Sequence, residues 1–215
     1  MHKLHRDPVP PAGLASYQHG RDQWGMQSPT GPERIGIWAK LEAMQGPRCA
    51  YCEAAMVDGD RHIEHFRQRY GANSYPQGTF AWNNLFGSCN RRSTCGKHKD
   101  NCGQYPQAEL IKPDVEDPEA FLVFSPDGSV HPRANLSVAD RHRAAETIRI
   151  FNLDGVLQQI RFSELVGYVQ TAECFAELAC NFDESEWMPL FQSELDKAAN
   201  IPNATAIKHV LTRLG

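Results

Sequence analysis

Two histidines and a glutamate stand within four residues in the segment HIEHF, residues 62–66. This segment follows shortly after a C-x-x-C pair formed by Cys49 and Cys52. Imidazole and carboxylate groups bind divalent cations, and an imidazole with a pKa near neutrality can accept a proton from water. The grouping therefore raises the hypothesis of a bound cation beside an activated water. Taken alone, the segment is also explained by two surface histidines on an edge strand.

Five of the seven cysteines lie between residues 49 and 102. Two pairs of cysteines brought together by folding form the tetrahedral four-thiolate site that structural zinc prefers. The second pair, Cys89 and Cys95, is more widely spaced than is usual. Cys102 therefore competes with Cys95 to be the fourth ligand. Buried free thiols are the alternative, and they are the expectation for Cys174 and Cys180 in an apolar helical stretch. The predicted zinc ligands are Cys49, Cys52, Cys89 and Cys95.

Zinc bound in this way would have a structural role. Four thiolates close the coordination sphere and leave no open position for water. The ion would hold together the two ends of a segment that is too small to be stabilised by apolar burial alone.

The charge of the chain is unevenly distributed. Its 215 residues carry a net charge of -4, yet between residues 61 and 99 seven arginines and lysines face one acid, Glu64. A basic island on an acidic chain suits a cleft that binds phosphate, whereas a solvated surface with patchy charge is the alternative. Phosphate contacts contribute affinity without sequence choice. The predicted nucleic-acid contacts are Arg91, Arg92, Lys97 and Lys99.

The composition is that of a globular protein, with 41% hydrophobic and 22% charged residues. No apolar run approaches the length of a membrane span, so no membrane association is expected. The start, MHKLHRDPVPPAG, has no apolar stretch behind its basic residues and does not predict a secretory signal. We therefore expect a cytoplasmic protein, in which thiols stay reduced and clustered cysteines bind metal.

The sequence pattern around these groups predicts an α+β fold that is mostly helical. Residues 1–46 form an arm followed by a helix over 32–45, and residues 47–112 contain the cysteines and histidines. Residues 113–215 begin with a hairpin in which AFLVF and SVHP flank the turn SPDG. Helices follow, with Ser137, Ser185 and Asn203 as predicted N-caps, over the segments 137–154, 156–181, 185–199 and 203–214.

The order of the motifs resembles the HNH endonuclease family. The matching segments are CAYCE, the run from Ile63 to Phe66, Asn84-Leu85 five residues before Cys89, and the run CGKHKD. They cover about a quarter of the chain. The resemblance implies a small zinc-stapled ββα-metal core, in which a hairpin and a helix grip one catalytic divalent cation, Mg²⁺ or Mn²⁺.

The resemblance also assigns roles to individual residues. His65 would be the general base that takes a proton from water, and Glu64 would be the acidic ligand of the catalytic cation. Asn84 would hydrogen-bond the backbone near His65 and hold the base in position. Many family members place a metal-binding His or Asn on the helix directly after the last cysteine, where this chain has Gly96. His98 is the predicted substitute.

Two alternatives remain open at this point. Asn90, directly after Cys89, is the rival of His98 for the helix ligand. On a regular strand Glu64 and His65 point to opposite faces, so their joint action needs a strand end or a bulge. If the strand is regular, His62 and Glu64 become the metal-binding pair.

A wider resemblance points to the small HNH subunit of the Septu anti-phage system, which is also found beside some retrons. It rests on GRDQW, WNNLFGSC, LIKPDVEDPEAF and ETIRIFNLD. It implies an ABC-type or SMC-like ATPase partner, with residues 113–215 as a docking surface. We predict a metal-dependent endonuclease that cuts nucleic acid, DNA rather than RNA. The alternative is a zinc-stapled module that binds nucleic acid or protein without cleaving anything.

Overall fold

The computed structural model describes residues 1–25, 27–71 and 74–213. The fold is mixed α+β, about 48% helical, and its two sheets are antiparallel pairs of short strands. The elements, in chain order, are α1 (Gly31–Gln45), β1 (Arg61–His65), β2 (Leu85–Cys89), α2 (Cys95–Asn101), β3 (Leu122–Phe124), β4 (Val130–Pro132), α3 (Val138–Phe151), α4 (Val156–Asn181), α5 (Glu184–Ala198) and α6 (Ala204–Leu211). Within the described ranges, no helix is both long and apolar enough to cross a membrane.

Helix α1 confirms the helix predicted over 32–45. It begins after Thr30, whose backbone N–H donates to the Glu33 carboxylate at 2.8 Å, so one of the unpaired N-terminal amides is satisfied. It ends at Gly46, where φ is 66°. Ile37 and Leu41 are buried on its inner face. They pack in one cluster with Leu14, Phe80, Trp82 and Leu85, so α1 lies against β2.

Strands β1 and β2 pair in a continuous register that runs from Arg61 opposite Cys89 to His65 opposite Leu85. Gln45 at the end of α1 fixes β2. Its amide oxygen accepts from the Gly87 N–H at 3.0 Å, and its amide nitrogen donates to the Gly87 carbonyl at 2.9 Å. All five residues of β2 are buried, and a short loop leads from it into α2. Two antiparallel strands followed by a helix thus form the element that carries most of the candidate site.

The region after residue 112 starts with the predicted hairpin, β3 and β4, and continues with helices α3 to α6. The Ser137 hydroxyl accepts from the Asp140 N–H at 3.1 Å, which confirms the predicted cap of α3. The prediction for Ser185 was wrong. Helix α5 already begins after Asp183, so Ser185 lies within its first turn. Asn203 precedes α6, which ends at Leu211, and the predicted end at 214 lies outside the described residues.

The principal core joins the cysteine-containing segment to the helical region. The Tyr51 ring stacks on the Phe151 ring of α3 with centroids 4.1 Å apart, and the Phe66 ring packs against both Phe151 and Phe86. The same cluster extends from Met1 to the last turn of α6. The β1–β2–α2 unit is therefore built onto the helices, and α3 lies directly against α2.

Candidate active site and metal centre

Four cysteines from three parts of the chain converge on one point. Cys49 and Cys52 lie in the turn before β1, Cys89 ends β2, and Cys95 begins α2. Their sulfur atoms all lie within 4.8 Å of one another, and all four residues are buried. Hydrogen bonds with Cys49 and the other two thiols lower the pKa of the Cys89 thiol, and a thiolate is the form that binds metal. The donor set could hold a metal such as zinc, which prefers four thiolates.

The remaining cysteines stand apart from this cluster in the described part of the chain. The cluster contains Cys95 and not Cys102. The Cys102 sulfur lies instead 3.4 Å from the His98 ring. Cys174 and Cys180 on α4 are free thiols, but they are exposed and not buried as expected. Both side chains lie on parts of the α4 surface that are open to solvent, whereas Phe175 next to Cys174 is buried.

Strand β1 is regular, and this decides how its polar side chains are arranged. His62 and Glu64 share one face, and His62 Nε2 lies 2.9 Å from Glu64 Oε2. Glu64 is only 2% exposed. Burial by itself raises the pKa of its carboxyl, but the Lys99 ammonium, 2.8 Å from Oε1, and His62 together lower this pKa to about 2. Glu64 is therefore a buried carboxylate that is ionised near pH 7.

His65 is the last residue of β1, so the regular strand does not prevent it from joining Glu64. Its Nε2 lies 2.9 Å from the Thr79 carbonyl oxygen, and the Trp24 ring packs edge-on against it at 4.6 Å between centroids. A carbonyl oxygen only accepts, so Nε2 must carry the hydrogen, and the neutral ring keeps its lone pair on Nδ1. Burial, and then the nearby Arg69 charge, lower the pKa of His65 to about 4. The imidazole is therefore neutral near pH 7.

Asn84 joins the two backbone segments that flank His65. Its side-chain oxygen accepts from the Arg67 N–H at 2.8 Å, and its amide nitrogen donates to the carbonyls of Arg67 and Gly78, each at 3.0 Å. Arg67 lies two residues after His65, and Gly78 directly precedes the Thr79 carbonyl that anchors the ring. Asn84 is itself buried. It thus fixes the loop that sets the orientation of His65.

Glu64 and His65 open into one polar pocket of about 240 Å³ at the end of β1. A larger cavity of about 400 Å³, lined by His2, Glu119 and Asp196 among others, lies between the first residues and helices α5 and α6, away from the HIEHF segment. The smaller pocket is the candidate active site because it combines the neutral imidazole with the charged carboxylate. Its lining residues are His62, Ile63, Glu64, His65, Gln68, Arg69, Tyr70, Lys97 and Asp100.

Helix α2 contributes residues other than the predicted one. The His98 ring turns to α3, where Nδ1 lies 2.9 Å from the Ile150 carbonyl, and neither His98 nor its rival Asn90 lines the pocket. Asp100 does line it, although sequence reasoning assigned it no role. Burial and the negative charge of Glu64 raise the pKa of Asp100. Asp100 stands four residues after Gly96, one helical turn away, and this spacing is a signal that could have identified it.

Gly96 on α2 leaves room for the carboxylate of Glu64. A Cβ at this position would lie 2.4 Å from the Oε2 atom of Glu64, so the buried carboxylate occupies the space next to the helix. The carboxylates of Glu64 and Asp100 are hard oxygen donors, which Mg²⁺ and Mn²⁺ accept as ligands. His62 Nδ1 is buried without a protein partner among the described residues. Among the described residues only the four cysteines form a group of three or more ligands, so at this pocket the chain offers a divalent cation two carboxylates and no complete cage.

The four predicted phosphate contacts are placed differently from one another. Lys97 lines the pocket and Arg92 is exposed on the surface, whereas Lys99 is completely buried beneath the site. Burial lowers the pKa of Arg91, but the nearby thiols of Cys52 and Cys89 raise it by more, so the net shift is upward. The guanidinium of Arg91 therefore interacts with the cysteine cluster and not with the pocket. Arg69, which sequence reasoning did not select, lines the pocket beside His65.

Comparison with known proteins supports a nuclease function in broad terms. No family model matches the chain. It is 29% identical over 120 residues to a protein of Vibrio cholerae serotype O1 biovar El Tor described as "Retron Vc95 putative HNH endonuclease". The aligned segment covers 54% of this chain and 56% of that protein, so the chain spans little more than half of its relative. This similarity supports the resemblance to HNH endonucleases and the association with retrons.

Proposed function

We propose that the protein is a metal-dependent HNH endonuclease that hydrolyses phosphodiester bonds in nucleic acid. The observation that carries the proposal is the His65 ring. Its Nε2 is anchored on the Thr79 carbonyl, and it shares one pocket with two carboxylates, Glu64 and Asp100. A neutral, oriented imidazole beside a candidate cation site is what general-base hydrolysis requires.

The pocket residues account for the steps that the chain itself would perform. His65 Nδ1 accepts a proton from water as the water oxygen attacks phosphorus and the bond to the leaving oxygen breaks. Glu64 and Asp100 would hold Mg²⁺ or Mn²⁺, which when bound supplies a Lewis acid for the phosphate and its leaving oxygen. Arg69 and Lys97 at the pocket rim would contact the phosphates, with exposed Arg92 as a more distant contact.

The cysteine cluster would carry a structural zinc ion. Its four buried sulfurs join the turn before β1 to the end of β2 and the start of α2. The same three pieces position Glu64, His65 and Asp100. Zinc would therefore keep the two strands and the helix of the ββα-metal core in register, and it would take no part in the cleavage step.

The setting of the activity is also part of the proposal. We assign DNA as the first substrate and place the reaction in an anti-phage defence system of the Septu or retron type, in the cytoplasm, with an ABC-type or SMC-like ATPase as partner. The resemblance described above supports this setting. The helical region after residue 112 has large apolar side chains on its surface, among them Phe162, Val166 and Leu190, which suit a docking face.

Cleavage of plasmid DNA tests the function. Wild type with Mg²⁺ or Mn²⁺ should cut, chelator should abolish cutting, and His65→Ala should lower the rate by about a hundred- to ten-thousandfold. His142→Ala is the matched control, because this histidine is exposed on α3 and should leave the rate unchanged. A parallel assay with structured RNA, and a repeat of both assays with a co-expressed ATPase, separate the substrate and partner assignments.

Two results would overturn the proposal. An unchanged rate in His65→Ala would remove this histidine from the mechanism. Wild type that cuts neither DNA nor RNA with either metal, alone or with an ATPase, would leave the alternative of a zinc-stapled binding module.

A further inference from the structure

Lys99 on α2 has an unusual environment for a lysine. The residue is 0% exposed, and its ammonium group lies behind Glu64 and Asp100, two residues that line the candidate active site. It is 2.8 Å from Glu64 Oε1, 2.7 Å from Asp100 Oδ1 and 2.9 Å from the His65 carbonyl oxygen. The ammonium donates hydrogen bonds to Asp100 and to the His65 carbonyl, and it forms an ion pair with the carboxylate of Glu64.

These three groups belong to the residues that carry the proposed chemistry. Glu64 and His65 lie at the end of β1, and Asp100 lies on α2, so the ammonium connects the strand end to the helix. Gln68 adds a second connection, because its amide nitrogen donates to the Lys99 carbonyl at 3.0 Å. Lys99 therefore sets the distance between the two carboxylates and fixes the backbone that carries the base.

The charge of Lys99 matters as much as its geometry. Without it, two carboxylates would face each other across a small, partly desolvated pocket. With it, the positive charge already compensates one of them before any cation arrives. A divalent cation that binds Glu64 and Asp100 must therefore share both carboxylates with a fixed ammonium.

We propose that Lys99 is a positioning residue that sets both the arrangement of Glu64 and Asp100 and their affinity for the catalytic cation; this rests on the proposed nuclease function. The ammonium weakens cation binding by competing for the carboxylates. In return, it holds them and the backbone of His65 in the geometry needed for hydrolysis. Lys99 itself does not touch the substrate, because no part of its side chain reaches the surface.

Two variants separate charge from geometry. Lys99→Met removes the charge and keeps the length of the side chain, so Mn²⁺ should bind about tenfold more tightly while kcat falls by about tenfold or more. Lys99→Arg keeps the charge, but its planar guanidinium cannot present three donors from one atom. Mn²⁺ binding should then stay within about threefold of wild type while kcat again falls by about tenfold.

The experiment measures Mn²⁺ affinity by electron paramagnetic resonance, together with kcat, KM for plasmid DNA and zinc content. Lys112→Met is the matched control, because this lysine is also largely buried and paired with a carboxylate, Asp114, but lies outside the pocket. It should leave Mn²⁺ affinity and kcat unchanged. Zinc content should equal that of wild type in all three variants, which separates the proposed role from loss of the fold.

Unchanged or weaker Mn²⁺ binding by zinc-loaded Lys99→Met would overturn the proposal. If that variant does not fold, Lys99→Arg decides, because wild-type kcat in it would refute the geometric role. Wild type that binds Mn²⁺ but cuts no nucleic acid would instead refute the proposed function. In that case the Mn²⁺ affinities of wild type and Lys99→Met would still test whether Lys99 weakens cation binding.

Discussion

Alanine at position 96 would place a methyl group where the Glu64 carboxylate now lies. The added Cβ would be 2.4 Å from both Cδ and Oε2 of Glu64, closer than atoms of real side chains approach one another. The carboxylate cannot simply turn aside, because His62 and Lys99 hold it at 2.9 and 2.8 Å in a buried position. We therefore expect Gly96→Ala to displace Glu64.

The expected change in stability combines two opposing terms. Overpacking of a filled interior costs about 1 to 3 kcal/mol. Replacing glycine by alanine within a helix recovers about 1 kcal/mol. Gly167→Ala is the matched control, because this glycine lies in α4 and a Cβ there would meet no atom within 4 Å. The free energies of unfolding of the two variants should therefore differ by about 1 to 3 kcal/mol, with Gly96→Ala the less stable.

Urea unfolding followed by tryptophan fluorescence measures this difference in zinc-loaded protein. The cleavage rate of Gly96→Ala should also fall by about ten- to a hundredfold, since a displacement of about 1 Å at the reacting groups has effects of this size. Gly167→Ala should cut at the wild-type rate. Equal stabilities of the two variants, combined with full cleavage by Gly96→Ala, would refute the contact between Glu64 and α2.

Three further predictions concern the cysteine cluster, the acid stability and the loop behind the base. Cys95→Ser should lose bound zinc and the folded ββα unit, whereas Cys102→Ser should keep both. Metal analysis and circular dichroism measure the two properties. Zinc loss from Cys102→Ser but not from Cys95→Ser would contradict the proposed ligand set. The neighbouring His209 ring lowers the pKa of Glu119 from 4.5 to about 2, so the stability from this carboxylate is complete above pH 4.5 and is lost as pH falls towards 2. Glu119→Gln should therefore flatten the decline of Tm with pH in this window, and an unaltered slope would count against it. Asn84→Ala removes the partner of one buried and two partly buried backbone groups. Unfolding should then need about 1 to 3 kcal/mol less free energy and cleavage should slow, which urea titration and the plasmid assay can measure.

Much of the local architecture follows from neighbouring residues. Helix α1 could be predicted because proline in its first turn, an apolar face and a terminal glycine are all signals that act within a few residues. The same holds for the cap at Ser137 and for the hairpin of β3 and β4. Ser185 was misplaced because Asp183, two residues earlier, is an equally good cap, and sequence alone does not rank them.

The site is a matter of both sequence and tertiary structure. The types and spacing of the cysteines and the position of Asn84 were sufficient to predict a four-cysteine cluster and an amide that fixes the backbone near His65. Sequence could not choose between Cys95 and Cys102, because the choice depends on which sulfur reaches the other three after folding. It also could not exclude His98, since the face of α2 that meets β1 is set by how the helix packs on α3.

The order of residues thus specifies which chemical groups are present and which are neighbours along the chain: thiols in pairs, imidazole next to carboxylate, and a basic island. Folding adds that Asp100 enters the pocket, that Lys99 is buried beneath it and that Gly96 makes room for Glu64. These contacts with β1 join residues more than thirty positions apart. Their distances depend on strand pairing and helix packing, which no local pattern records.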